Sequence, residues 1–111
     1  GALALGDIGV HFPDTDEQYK NANSRDLLRH VMGLVNDQSY VISNVDATII
    51  AQNPKILPFI DAMKANLSSD LKISNRQLNI KATTTERLGY IGREEGIAAH
   101  VVLLIKDHKQ N

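Results

Sequence analysis

Residues Lys81–Glu86, KATTTE, set three successive hydroxyls and a carboxylate just behind a cation. Hydroxyls and backbone N–H groups can donate to phosphate oxygens. A carboxylate beside them can hold a hard cation such as Mg²⁺, which takes oxygen ligands and is readily bridged by phosphate. The same residues would equally satisfy a threonine-rich turn with a helix cap at Thr84 or Thr85. Ala51–Leu57, AQNPKIL, offers Lys55 to neutralise a phosphate and exposed backbone amides to read a base edge; its plainer account is a proline-bounded turn. In Gly6–Asp16, GDIGVHFPDTD, Asp7 stands between glycines and can accept from a sugar hydroxyl, although loop carboxylates are usually solvated. Gly89–Gly96, GYIGREEG, carries Arg93 in a flexible segment, where a lone arginine is usually solvated too. All four stretches read as loops and two follow strand patterns, which is where ligands commonly bind in sheet proteins. One shared polyanion site is the hypothesis that unites them.

Other chemistry is thinly represented. No glycine-rich dinucleotide fingerprint, phosphate-binding P-loop, paired-histidine zinc motif or nucleophile elbow occurs. His11, His30, His100 and His108 have no short metal-ligand spacing and read as structural or surface residues. There are no cysteines, which excludes disulfides and thiolate metal sites and is compatible with a reducing compartment. The formal charge of −1 provides no global field for nucleic acid or a membrane surface, so any anionic ligand must be held locally. No apolar run approaches the roughly 18 residues of a membrane span. The opening GALAL has no basic flank of a signal peptide and reads instead as the tail of a small-residue helix.

The elements that must position these loops follow from periodicity. Residues 6–23 are rich in breakers and read as a loop, with turn chemistry at Asp14, Thr15 and Asp16. Asn23 or Ser24 can cap a following helix, with Asp26 in its first turn and Leu27, Leu28, Val31, Met32, Leu34 and Val35 recurring at helical spacing. Tyr40 to Ala51 is rich in β-branched residues and reads as a strand partly buried on both faces, ended by Pro54. Pro58 can start a helix whose stripe is Ile60, Met63, Leu67 and Leu71. Gln77 to Thr83 alternates as a strand with one wet face; Thr84 to Gly96 is a loop or short helix; Ile97 to Lys106 is a third, mostly apolar strand; DHKQN is a solvated tail. The order predicts an α+β fold: a two-layer sandwich, ferredoxin-like, with helices on one face of a small mixed β-sheet. Three strands make a narrow sheet with exposed edges, which a further strand or other subunits would relieve.

Taken in order, GDIGVHFPDTD, SRDLL, NVDATIIAQNPKILP, NIKATTTERLGYIGREEGIAAH and VVLLIK resemble the 2-C-methyl-D-erythritol 2,4-cyclodiphosphate synthase family of the non-mevalonate isoprenoid pathway, over essentially everything but the tail. The resemblance implies one cyclodiphosphate synthase domain over residues 1–111, lacking an N-terminal segment. It implies a lyase that takes 4-diphosphocytidyl-2-C-methyl-D-erythritol 2-phosphate, a CDP-linked small molecule, to the cyclodiphosphate with release of CMP. It also implies a cytoplasmic homotrimer (in a plastid-type organelle if the source is eukaryotic) with sites at subunit interfaces, and Zn²⁺ with Mg²⁺ or Mn²⁺ as cofactors.

Residue by residue, Asp7, with Ile8 and Gly9, matches the ribose-holding positions, which a neighbouring subunit contributes. Phe12, Pro13, Asp14, Thr15 and Asp16 match a mobile loop that closes on the erythritol side. Ala51, Lys55, Ile56 and Leu57 match the cytosine pocket, and Gln52, Asn53 and Pro54 between them count among the substrate-binding positions. Thr83, Thr84 and Thr85 match the phosphate-binding stretch, with Thr84 as the catalytic, transition-state-stabilising residue. Glu86 matches the Mg²⁺ ligand, and Tyr90 and Arg93 match positions near the substrate and the trimer's central cavity. The family's zinc ligands, an Asp-x-His pair and a further histidine, match nothing in this sequence, and neither does its catalytic His-Ser pair. That departure keeps a second reading open: a non-catalytic, oligomeric nucleotide-binding α+β module.

Overall fold

The structure is a computed structural model that describes residues 1–108. Two compact units make up the chain, one of residues 1–41 with those from 105 on, the other of residues 42–104.

In the first unit, Gly1–Leu5 contains a single turn. Ala4 N donates to the Gly1 carbonyl at 2.9 Å, and Ala4 takes a left-handed φ of 56°, a conformation in which helices often end. The expected loop over 6–23 holds two short elements, helix α1 (Ile8–His11) and a 3₁₀ turn over Glu17–Tyr19. Each is started by an aspartate: Val10 N donates to Asp7 Oδ1 at 3.1 Å and Gln18 N to Asp16 Oδ1 at 3.1 Å. Helix α2 (Ser24–Asp37) begins as expected, with Arg25 N donating to the Asn23 side chain at 2.8 Å. The Asp26–Arg29 ion pair one turn in is exposed and contributes little to stability. Met32 and Phe12 are this unit's buried apolar residues among those described. Phe12 meets the rings of Tyr19 and His30 edge-on, at 5.2 and 5.0 Å between centroids.

The second unit is organised by two strands. Strand β1 (Tyr40–Ile50) and strand β2 (Leu78–Thr83) pair in parallel, in register from Val45 opposite Leu78 to Ile50 opposite Thr83. Parallel neighbours need a crossover, and helix α3 (Ile60–Leu71) provides it and packs on β2. A 3₁₀ turn over Leu57–Phe59 containing Pro58 leads into α3. Lys72 closes it in the left-handed conformation, φ 58°, and Ile73 N bonds back to the Ser68 carbonyl. Of the expected stripe, Leu71 is buried and Ile60, Met63 and Leu67 are half-buried; buried Ser68 and Asp70 lie beside it. Ile42, Val45, Leu78 and Ile80 fill the sheet's core. Ile42 and Val45 differ in parity, in line with a strand covered partly on both faces. Strand β3 (Ala98–Asp107) flanks β1 on the other side, giving a mixed sheet in the order β2-β1-β3. Its consecutive residues Val101, Val102, Leu103 and Leu104 are all exposed, so both of its faces are uncovered here. Asp107 belongs to the strand and His108 N donates to Ser39 O at 2.8 Å; the rest of the expected solvated tail, 109–111, lies outside the described residues.

Candidate functional site

Because β1 and β2 run the same way and end in step, the chain leaves both at one edge of the sheet. Ala51 N donates to Thr83 O at 3.0 Å, extending the ladder one bond beyond the strands, and Ala51 is buried there. The two loops that follow are then tied by side chains. Gln52 Oε1 accepts from Arg87 N at 3.0 Å, and Asn53 Nδ2 donates to Glu94 Oε1. The two strand-end segments that the sequence marked separately are thus brought together, although Gln52 and Arg87 are 35 positions apart in sequence.

The three threonines are not equivalent. The Thr83 hydroxyl donates to the Thr84 carbonyl at 3.1 Å, and the Thr85 hydroxyl to the Leu88 carbonyl at 2.7 Å. Thr84 instead accepts, from Glu86 N at 3.2 Å, and donates to no described residue. A hydroxyl whose oxygen is already held by a backbone N–H keeps its proton for an outside acceptor such as a phosphate oxygen. Glu86 and Arg87 both sit in the left-handed region, at φ 54° and 66°, which turns the chain sharply after Thr85. The Glu86 carboxylate is exposed and bonds no described residue. A single exposed carboxylate beside a hydroxyl with an uncommitted proton fits Mg²⁺, which is commonly held by one or two carboxylates with phosphate oxygens and water completing its shell. Zinc, with three or four protein ligands, does not fit: no group of three or more His, Cys, Asp or Glu lies together among the described residues.

Around this turn, Lys55 is exposed and makes no bond to a described residue, Ile56 is half-buried and Leu57 stands out at 79% exposure. Asn53 and Pro54 are joined by a cis peptide. Helix α4 (Gly89–Gly92) carries exposed Tyr90, whose ring lies 3.2 Å from where a Cβ on Gly96 would stand. Arg93 pairs with Glu95 through its Nε, both largely exposed. Gly92 approaches the Arg87 backbone so closely that a Cβ would fall 2.1 Å from the Arg87 carbonyl carbon. Sequence reading gave no role to Gly92 or Glu94.

The Gly6–Asp16 segment belongs to the first unit. Asp7 has one oxygen in the cap of α1, and Ile8 and Gly9 lie exposed in that turn. Both oxygens of Asp16 serve Gln18, Oδ1 its backbone N–H and Oδ2 its side-chain amide at 2.8 Å. Pro13 O accepts from Asp16 N at 3.0 Å, leaving Asp14 and Thr15 exposed at the tip. Phe12 is buried. His11 Nε2 lies 2.7 Å from Leu5 O, a structural tie as expected.

On the sheet's wet face Asp46 meets Lys81 Nζ at 2.7 Å and Asn79 Nδ2 at 3.0 Å. The Lys81 hydrogen bond, then that of Asn79, holds the Asp46 carboxyl below its usual range against a weak opposing effect of desolvation. The strand alternation placed these polar groups on one face, and the register, Asp46 opposite Asn79, makes them neighbours.

A model of the YgbB family matches residues 1–106. A relative from Geobacter metallireducens, named 2-C-methyl-D-erythritol 2,4-cyclodiphosphate synthase, is 62% identical over 106 residues, 96% of this chain and 68% of its own length. Two solved structures share the fold. The bifunctional IspDF from Campylobacter jejuni superposes with a TM-score of 0.91 at 43% identity, covering 96% of this chain and 29% of that one. The CDP complex of IspF from Plasmodium falciparum superposes at 0.81 with 35% identity, covering 95% and 62%. The chain spans about two thirds of the length of the curated relatives it matches. No helix among the described residues is long and apolar enough to cross a membrane. With the match running along essentially the whole sequence, the chain belongs to the YgbB family, that of 2-C-methyl-D-erythritol 2,4-cyclodiphosphate synthase.

Proposed function

We propose that this chain forms the cytidine-, phosphate- and Mg²⁺-binding part of a lyase that converts 4-diphosphocytidyl-2-C-methyl-D-erythritol 2-phosphate to 2-C-methyl-D-erythritol 2,4-cyclodiphosphate and CMP. The observation that carries the reading is the bonding of two strand-end loops into one body that leaves the Thr84 hydroxyl proton and the Glu86 carboxylate available in one turn. In the reaction an oxygen of the 2-phosphate attacks the β-phosphorus. The bond from that phosphorus to the oxygen bridging it to the α-phosphate breaks, and CMP leaves with the electron pair on that oxygen. No covalent bond to the protein is needed, so the protein's task is to bend a flexible polyanion into line and to stabilise charge as it develops. Mg²⁺, when bound, neutralises phosphate charge. Ala51, Ile56 and Leu57 would hold the base with Lys55 near the diphosphate, Thr84 would donate to the reacting phosphate, and Thr83, Tyr90 and Arg93 would line the approach.

Asp7, with Ile8 and Gly9, would meet the ribose from an adjacent copy, and the segment from Phe12 to Asp16 would close over the erythritol. A homotrimer gives β3 partners for its exposed Val101–Leu104 run, and residues 1–111 act in it as one domain. The same reading places the enzyme in the cytoplasm. Zinc is implied by the family resemblance alone. CMP release, measured on the complete enzyme with Mg²⁺ and Zn²⁺, tests the proposal. Thr84→Ala and Glu86→Gln should each slow it at least about tenfold, since each removes charge stabilisation from the transition state; rates within about twofold of the parent would remove both assignments.

A further inference from the structure

Gln52 stands in the loop assigned above to the base, yet its side chain reaches the other loop, where Oε1 accepts the Arg87 N–H at 3.0 Å. What it grips is a turn with two consecutive non-glycine residues in the left-handed region, Glu86 at 54° and Arg87 at 66°. Such conformations persist only where the surroundings over-determine them. A second support is Gly92, whose missing side chain lets α4 close on the Arg87 backbone, where a Cβ would fall 2.1 Å from the Arg87 carbonyl carbon. A third is the Asn53 to Glu94 hydrogen bond, which holds the same two segments together farther along.

We infer that Gln52 is a positioning residue: it sets the Thr84–Arg87 turn against the base loop, so that the two ends of a nucleoside diphosphate are presented to one preorganised body. The inference rests on the proposed function for its ligand, and on the hydrogen bond alone for its mechanics. Gln52 then acts through Arg87 rather than by touching the base. Loss of its acceptor oxygen should be felt by the phosphates and not by the nucleobase. A hydrogen bond to a backbone N–H of this kind corresponds to an effect of about threefold to tenfold.

The test compares Gln52→Met, of similar length and without the acceptor, with Gln52→Glu, which keeps an acceptor oxygen. Amide exchange at Arg87, and affinity for cytidine and for CDP with Mg²⁺, are measured by NMR on the full chain. Gln52→Met should speed Arg87 exchange about fivefold or more, weaken CDP about threefold to tenfold and leave cytidine within about twofold. The Ile80 amide in β2 should stay protected, and Gln52→Glu should restore protection at Arg87. Equal losses for cytidine and CDP would overturn the inference in favour of a base contact. An unchanged Arg87 rate, or deprotection spreading to Ile80, would overturn it in favour of no brace or of a general structural role. If the parent chain binds no CDP, the functional reading itself fails, while Arg87 exchange still judges the brace.

Discussion

Residues 7–16 and residues 84–87 are both short stretches rich in oxygen-bearing side chains, but their hydrogen bonds run in different directions. In the first, Asp7 and Asp16 accept from backbone N–H groups two or three residues ahead, and Phe12 anchors the segment among Tyr19 and His30. That stretch is folded on itself. In the second, the support arrives from outside, from Gln52 and from the close approach of Gly92, and the local side chain at Thr84 keeps its proton. Composition alone marks both stretches as candidate sites; the hydrogen bonds distinguish carboxylates that accept in the first from a hydroxyl that keeps its proton in the second.

The sharpest way to break the comparison is Phe12→Ala, which should destabilise the chain by about 3 kcal/mol in denaturant unfolding, as buried aromatic truncations do. A loss under about 1 kcal/mol would mean that Phe12 is not the anchor of its loop. Gly92→Ala should come next, at about 2 kcal/mol or somewhat more, because backbone atoms of Arg87 occupy the place of the new methyl group. Deprotection of the Arg87 amide should accompany it, and normal exchange there would remove Gly92 from the brace. Thr84→Ala and Thr85→Ala should then separate cleanly. The first should slow CMP release at least about tenfold, about 1.4 kcal/mol of barrier. The second removes the hydroxyl bonded to Leu88 O and should lower thermal stability while leaving the rate within about threefold. Equal effects on rate would erase the distinction between the two hydroxyls.

The smallest effect concerns Asp46. Its carboxyl is held low in the folded chain, so the ionised pair contributes to stability above the unfolded carboxylate pKa, and that contribution is lost as pH falls through the folded value. Lys81→Met should raise the Asp46 midpoint in an NMR titration toward the ordinary carboxylate value. An unmoved midpoint would remove Lys81 as the main cause.

Long periodic elements were legible. Leu27 to Val35 predicted α2, the alternation over Gln77 to Thr83 predicted β2, and the capping residue Asn23 was readable from its type. Elements of three or four residues were not, since α1 and the Glu17–Tyr19 turn are shorter than the period that would announce them. At the candidate site, residue type marked Thr84 and Glu86 but could not rank the three threonines, because the ranking depends on which carbonyl each hydroxyl meets. The left-handed pair Glu86–Arg87 carries none of the Gly or Asn preference that would signal it, and the bond from Gln52 is a tertiary contact with no local trace. Pattern finds what is periodic or capped; it does not find what one loop does for another.

The in-step ending of β1 and β2 also governs where the chain can change length. Ile50 faces Thr83, so residues 51 and 84 emerge side by side whatever the intervening segment does on the way. Lengthening or trimming the connection around residues 72–76 would alter only the journey between the strands, as surface loops tolerate. One residue inserted within Leu78–Thr83 would instead slide the partners by a position, turn buried side chains of the strand toward water, and carry the Arg87 N–H away from Gln52.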